Sequence, residues 1–216
     1  RQTSEQMQEA PRKRSDTRER ILDVSEAAVL EKGFAATSIE EVIAAVGITK
    51  SGFFYHFKDK NELARSLLER YIEQDEVILD GLFARAQELA DDPLQKFLIG
   101  LKLFAEMVED LPAGHPGCIV AVYCYQERLF DKSIHEINRE AVLRWRQRFR
   151  QVLGDIAKLY PPNEPVDLDE LADMVSTIVE GGIVMSKALN SPHSLARQVM
   201  LFRAFIKLLF SPARQH

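Results

Sequence analysis

Residues 37–63 read TSIEEVIAAVGITKSGFFYHFKDKNEL, and this stretch decides the fold. Thr37 and Ser38 are candidate caps for a short helix over 39–45, because a side-chain oxygen there accepts amides that a first helical turn leaves unpaired. Val46-Gly47-Ile48 ends that helix, since glycine adopts the left-handed conformation that terminates a helix and reverses the chain. Thr49 or Lys50 then opens a second short helix that runs through His56. Ile39, Val42, Ile43, Ile48, Phe53 and Phe57 are spaced to face one small core. Two helices joined by so tight a glycine turn predict a helix-turn-helix.

The opposite face carries Thr49, Lys50, Ser51, Gly52, Tyr55 and His56. Small residues let the start of a helix approach a duplex, and Lys, Ser and Thr bond to base edges or phosphates. The expected partner is therefore double-stranded DNA. Thr49, Lys50 and Ser51 are the expected base or groove contacts, Thr37, Tyr55, His56 and Lys60 are expected mainly on phosphates, and Ser38 and Gly52 are further DNA-binding candidates.

The same segment resembles the DNA-binding domain of TetR/AcrR-family repressors, closely over residues 17–70 and beyond that in helix number and order. The matching positions are Thr37, Val42, Gly47, Ile48, Thr49, Lys50, Phe57, Lys58, Lys60 and Leu63. Phe54 departs from the pattern, standing where the family usually has a tyrosine whose hydroxyl touches phosphate. Ser51 replaces a common glycine, and Ile43 a frequent alanine. The resemblance implies a ligand-responsive repressor that binds a palindromic operator as a homodimer.

The formal charge of −5 is unusual for a DNA binder, so its distribution matters more than its total. Residues 1–60 hold ten basic and ten acidic side chains, which places the whole deficit after them. Arg12, Lys13, Arg14, Arg18 and Arg20 outweigh Asp16 and Glu19, and Lys50, Lys58 and Lys60 outweigh Asp59. A hydrophobic content of 46% supports a sizeable core, and no apolar run approaches the ~20 residues of a membrane helix. A soluble, cytoplasmic protein is expected. Two cysteines without metal-like spacing support neither a disulfide framework nor a metal site, and no cofactor is implied.

Residues 1–15 are polar, aperiodic and include Pro11, which predicts a flexible N-terminal arm. Helices are expected over 17–32, from about 60 to just before Pro93, and over 93–110, 118–130, 132–160, 167–190 and 192–210. With the two helices of the central stretch these make about nine. The expected fold is all-α: a three-helix DNA-binding domain over 16–62, then a helical ligand-binding and dimerisation domain over 63–216.

A ligand pocket is expected between helices of the second domain, where bundles hold small molecules. Its candidate lining is Phe104, Met107, Val108, Cys118, Val122, Tyr125, Trp145, Phe149, Met174 and Ile178, residue types that also build plain core. Cys118, in the sequence HPGC, sits near a predicted helix start beside His115, a setting that lowers a thiol pKa. The Gly-Cys pair resembles a branch of the family that responds to reactive electrophiles and small unsaturated acids. The last two helices are richer in apolar residues than one small chain needs. Met174, Ile178, Gly181, Gly182, Met185, Val199, Phe202, Phe205, Ile206 and Leu209 are the candidate homodimer contacts.

No Ser-His-Asp pattern, GxSxG, phosphate-cradling glycine loop or metal-ligand cluster is present, which argues against an enzyme. The alternatives are a small-molecule-binding module that does not recognise DNA, and an activator.

Overall fold

The computed structural model describes residues 6–211, with side chains from residue 16 onward. Nine helices are present among the described residues: α1 Gln6–Lys32, α2 Ile39–Val46, α3 Lys50–His56, α4 Lys60–Leu89, α5 Pro93–Glu109, α6 Ile119–Tyr125, α7 Lys132–Leu159, α8 Leu168–Ala188 and α9 Ser194–Phe210. A single 3-10 turn, Glu127–Leu129, follows α6, so the helix expected to reach 130 stops five residues early. α1 begins at Gln6, inside the segment expected to be a flexible arm. Gln, Glu, Ala, Arg and Lys are good helix formers, and a helix already nucleated by packed residues extends through them cheaply.

Packing divides the chain into two compact units, residues 1–72 with 118–138 and residues 73–117 with 139–216. The division expected at residue 62 follows chain order. The packing instead extends the first unit to Ile72 and adds α6 to it.

In the first unit Ile21, Leu22, Val29, Val42, Phe53, Phe57, Leu67 and Leu68 form the buried centre. Ser38 caps α2, its hydroxyl accepting from Glu41 N–H at 3.1 Å while the Glu41 carboxylate accepts from Ser38 N–H at 2.7 Å. Gly47 ends α2 at φ 76°, and its N–H donates to Ile43 C=O at 3.0 Å. Thr49 caps α3, accepting from Gly52 N–H at 3.1 Å. Asp59 caps α4 by accepting from Glu62 N–H at 2.8 Å.

The α6 segment closes the back of this unit. Tyr123 is buried, stacks on Phe130 at 4.2 Å between centroids, and donates its hydroxyl to Ala64 C=O at 2.7 Å. Gln126 Oε1 accepts from Phe34 N–H at 2.8 Å, holding the turn between α1 and α2. Arg70 lies against three carboxylates of α1, with Asp23 at 2.7 Å, Glu19 at 3.1 Å and Glu26 at 3.7 Å. Burial raises the Glu26 pKa, and the Arg70 charge opposes that rise.

In the second unit α9 packs against both α5 and α8. Gly182 of α8 permits the approach: a Cβ there would stand 2.7 Å from Leu195 Cδ1 and 3.0 Å from Leu195 Cα. Ser186 of α8 accepts from Leu195 N–H at 3.1 Å, supplying the cap that α9 lacks at its own His193. Arg146 of α7 grips Asp173 of α8 through two bonds of 2.9 and 2.7 Å.

Asp75, on the part of α4 that belongs to the second unit, is driven up to about 6 by burial. The Trp145 indole bond opposes the shift, Glu76 adds to it and Arg148 opposes it. A carboxyl that holds its proton more tightly folded than unfolded destabilises the native state once the pH exceeds its unfolded pKa. That cost grows between pH 4 and 6 and is constant above. Asp75→Asn keeps an acceptor for the indole and removes the charge. We expect it to stabilise the protein by about 1–3 kcal/mol at pH 7.5 and to have no effect at pH 4, read from thermal unfolding at both values.

Candidate nucleic-acid interface

The turn geometry just described sets which side chains α3 presents. Residues three and four apart share a helix face, so Lys50, Ser51, Phe54 and Tyr55 lie together and are exposed while Phe53 is buried. Thr49 is exposed, although its hydroxyl is engaged with Gly52 N–H and lies 3.2 Å from Ser51 Oγ. Gly52 is half-buried beneath Thr49, where a Cβ would sit 3.2 Å from Thr49 Oγ1. His56 is half-buried, its ring edge-on to Tyr55 at 5.1 Å.

Two expected phosphate contacts are otherwise occupied. Thr37 is buried at 2% exposure and donates its hydroxyl to Gly33 C=O at 2.9 Å, so it braces the α1–α2 turn and does not face outward. That corrects the expectation. Thr37 and Ser38 were equal candidates as caps, and the chain uses Ser38 while turning Thr37 inward. Lys60 is half-buried, donating to Phe34 C=O at 3.1 Å with its ammonium 4.6 Å from the centre of the Phe34 ring.

The remaining positive charge near α3 is partly structural. Arg20 donates to Val46 C=O at 2.6 Å and so ties α1 to the end of α2. Arg18 lies 5.2 Å above the Phe57 ring and donates to Ser66 at 3.4 Å. Lys50 and Lys58 are exposed at either end of α3, whereas the side chains of Arg12, Lys13 and Arg14 lie outside the described residues. Lys32 pairs with Glu41, whose pKa is lowered chiefly by that bond and by Ser38 N–H.

The expected ligand residues are divided between the two units. Val108 and Phe149 are buried in the core of the second unit, and Phe104, Met107, Trp145, Met174 and Ile178 pack against it. Cys118, Val122 and Tyr125 belong to the first unit. Tyr125 is 85% exposed, which removes it from any pocket lining. The physical reason is helix phase: Ile119, Val120 and Tyr123 take the inward side of α6, and Tyr125 is left outside. An open cavity of about 280 Å³ is lined by Glu76, Arg144, Trp145, Gln147, Arg148 and Gln151, and it includes Trp145 alone of the expected residues. Sequence spacing gave no signal for this cavity, because its charged members read as solvated faces of α4 and α7.

Cys118 stands at the start of α6 in extended conformation, with no cap bond from its side chain. Burial and the Lys187 charge lower the His115 pKa, and His115 Nδ1 accepts from Gly117 N–H at 3.1 Å. His115 is therefore neutral at physiological pH, so the protonated imidazole expected beside the thiol is not supplied.

The dimer candidates separate by exposure. Val199, Phe202, Ile206 and Leu209 are buried within their own unit, Gly182 is filled by Leu195, and Met174 and Ile178 pack on the core. Burial of Gly182, Val199, Phe202, Ile206 and Leu209 corrects their place among the dimer contacts, with a simple cause: the strongest apolar stripe of a helix faces its own core first. Gly181, Met185 and Phe205 are exposed, and they share the outer faces of α8 and α9 with Val184, Leu189, Leu201 and Leu208. Leu201 and Leu208, 65% and 74% exposed, were missed because the inner stripe of α9 is the more regular one.

Among the described residues no helix is long and apolar enough to cross a membrane, and no group of three or more His, Cys, Asp or Glu side chains is placed to hold a metal ion.

Residues 21–67 match the family described as bacterial regulatory proteins, tetR family. The chain is 26% identical to the transcriptional regulator AcuR of Cereibacter sphaeroides over 175 residues, which cover 77% of this chain and 76% of that one. It is 22% identical to the HTH-type transcriptional repressor KstR2 of Mycolicibacterium smegmatis over 211 residues, covering 83% of this chain and 96% of that one. Its fold is similar to a crystal structure of a TetR-family transcriptional regulator from Agrobacterium tumefaciens, with a TM-score of 0.74 at 18% identity over 92% of this chain and 100% of that chain.

Proposed function

We propose that this chain, whose residues 21–67 belong to the tetR family of bacterial regulatory proteins, is a cytoplasmic transcriptional repressor that binds an inverted-repeat operator as a homodimer and is released by a small molecule. The observation that carries the reading is the capped α2–Gly47–α3 unit with Lys50, Ser51 and Tyr55 exposed on α3. Thr49, Lys50 and Ser51 contact bases or the groove, with Gly52 allowing close approach, while Ser38, Tyr55, His56 and Lys58 lie toward phosphates. Lys60 reaches phosphate only if it exchanges its Phe34 partner.

The exposed apolar faces of α8 and α9 support a two-fold assembly, since an unpartnered patch of that kind marks an interaction surface. Paired readers then match half-sites about one helical turn apart. The inducer is proposed to act through the second unit, where Phe104, Met107, Trp145, Met174 and Ile178 border the core. α4 contributes residues to both units, so a ligand that prefers one arrangement of it biases the readers. To turn a mostly bound population into a mostly free one, that preference must reach about 5 kcal/mol.

Titration of a labelled duplex of ~25 base pairs at rising salt tests the DNA reading, since ~6–10 phosphate contacts cost roughly 10³–10⁵ in affinity between 50 and 200 mM. Absence of binding at 50 mM overturns it.

A further inference from the structure

Phe54 is the one side chain on the outer face of α3 with no polar atom to offer a duplex. It is 39% exposed, whereas Phe53 and Phe57 are buried. Its ring stands edge-on against Phe53, with centroids 5.3 Å apart and planes at 84°, so a buried neighbour steadies it at the surface. Lys50 and Ser51, one helical turn before it, are exposed on the same face. A benzyl group in that place donates nothing to a phosphate and leaves apolar surface in water. Of the base edges that line the major groove, thymine presents the apolar one, its C5-methyl group.

We propose that Phe54 is a specificity residue that reads a thymine methyl in each operator half-site. The inference rests on the DNA-binding function proposed above. Lys50 and Ser51 supply the polar contacts that set the helix in the groove, and the Phe54 ring then meets the methyl of a base on the same side. Removing one methyl from water against a ring contributes about fourfold in affinity per contact, or about sixteenfold over two half-sites. The contact discriminates against cytosine and purines by shape, and against uracil by the methyl alone.

The test uses the full chain and the duplex it selects, with each thymine replaced in turn by deoxyuridine, which keeps base pairing and removes only the methyl. One thymine per half-site is expected to weaken wild-type binding about fourfold when replaced, and to have no effect on Phe54→Ala. Phe54→Tyr keeps the ring contact with Phe53 and is expected to retain the methyl dependence, which covers the case in which Phe54→Ala does not fold. A wild-type protein that binds its operator with no thymine sensitive to deoxyuridine, or with the same sensitivity in Phe54→Ala, overturns the methyl contact and leaves DNA binding standing. A wild-type protein that retains no duplex overturns the DNA-binding function itself.

Discussion

The double substitution Leu201→Glu/Leu208→Glu is expected to convert the protein to a monomer and to weaken operator binding by about 10²–10⁴-fold, with the fold of each protomer unchanged. Both side chains stand mostly in solvent on α9, 65% and 74% exposed, so a carboxylate there costs the isolated protomer little. In a two-fold contact the same positions meet their own copies across the axis or close to it. Four carboxylates would then be brought together and stripped of water, at a cost that opposes association. Loss of the dimer removes the second reader, and with it the effective concentration that joins two half-site contacts into one event. Sedimentation gives the oligomeric state and gel-shift titration the affinity. A variant that remains dimeric with unchanged affinity places the contact elsewhere.

A second large effect is expected from Gly182→Val. A Cβ at that position would stand 2.7 Å from a Leu195 methyl and 3.0 Å from the Leu195 Cα. The methyl can turn away, but the Cα belongs to the first turn of α9 and cannot move without disturbing the Ser186 bond to Leu195 N–H. Overpacking of this kind costs about 3 kcal/mol, so the melting temperature should fall by several degrees. Gly181→Ala is the control, because nothing lies within 4 Å of a Cβ there. Helix propensity favours both replacements over glycine, so a Gly182→Val protein that melts no lower than Gly181→Ala would mean that the approach of α9 to α8 does not depend on Gly182.

The helix-turn-helix was legible in the sequence because its determinants are local. Ser38, Gly47 and Thr49 each act on residues within four positions of themselves, so a cap or a turn can be read without knowing the rest of the fold. Thr37 shows the limit of that logic, since two adjacent hydroxyls fit one cap and only the packing of the α1–α2 turn decides between them. α6 was harder. Its inward residues form a stripe two turns long, and nothing local says that Tyr123 reaches Ala64 C=O, which lies 59 positions earlier in the chain. α9 misled for a different reason. It is apolar on two sides, and the more regular stripe, through Val199, Phe202, Ile206 and Leu209, is the one its own core consumes.

The same distinction explains the second unit. Aromatic and methionine residues in a bundle signal burial, and the second unit buries or packs most of those named. A cavity bordered by Arg144, Arg148 and Glu76 has the composition of an ordinary charged helix face, which conceals it from a reading by residue type.

The most direct test of the account is to let the purified chain select from a pool of random duplexes and to sequence those it retains. The account predicts an inverted repeat whose half-sites are centred about one helical turn apart. Enrichment of a single unrepeated site would contradict the paired readers, and no enrichment over the starting pool at 50 mM salt would contradict sequence-specific DNA binding altogether.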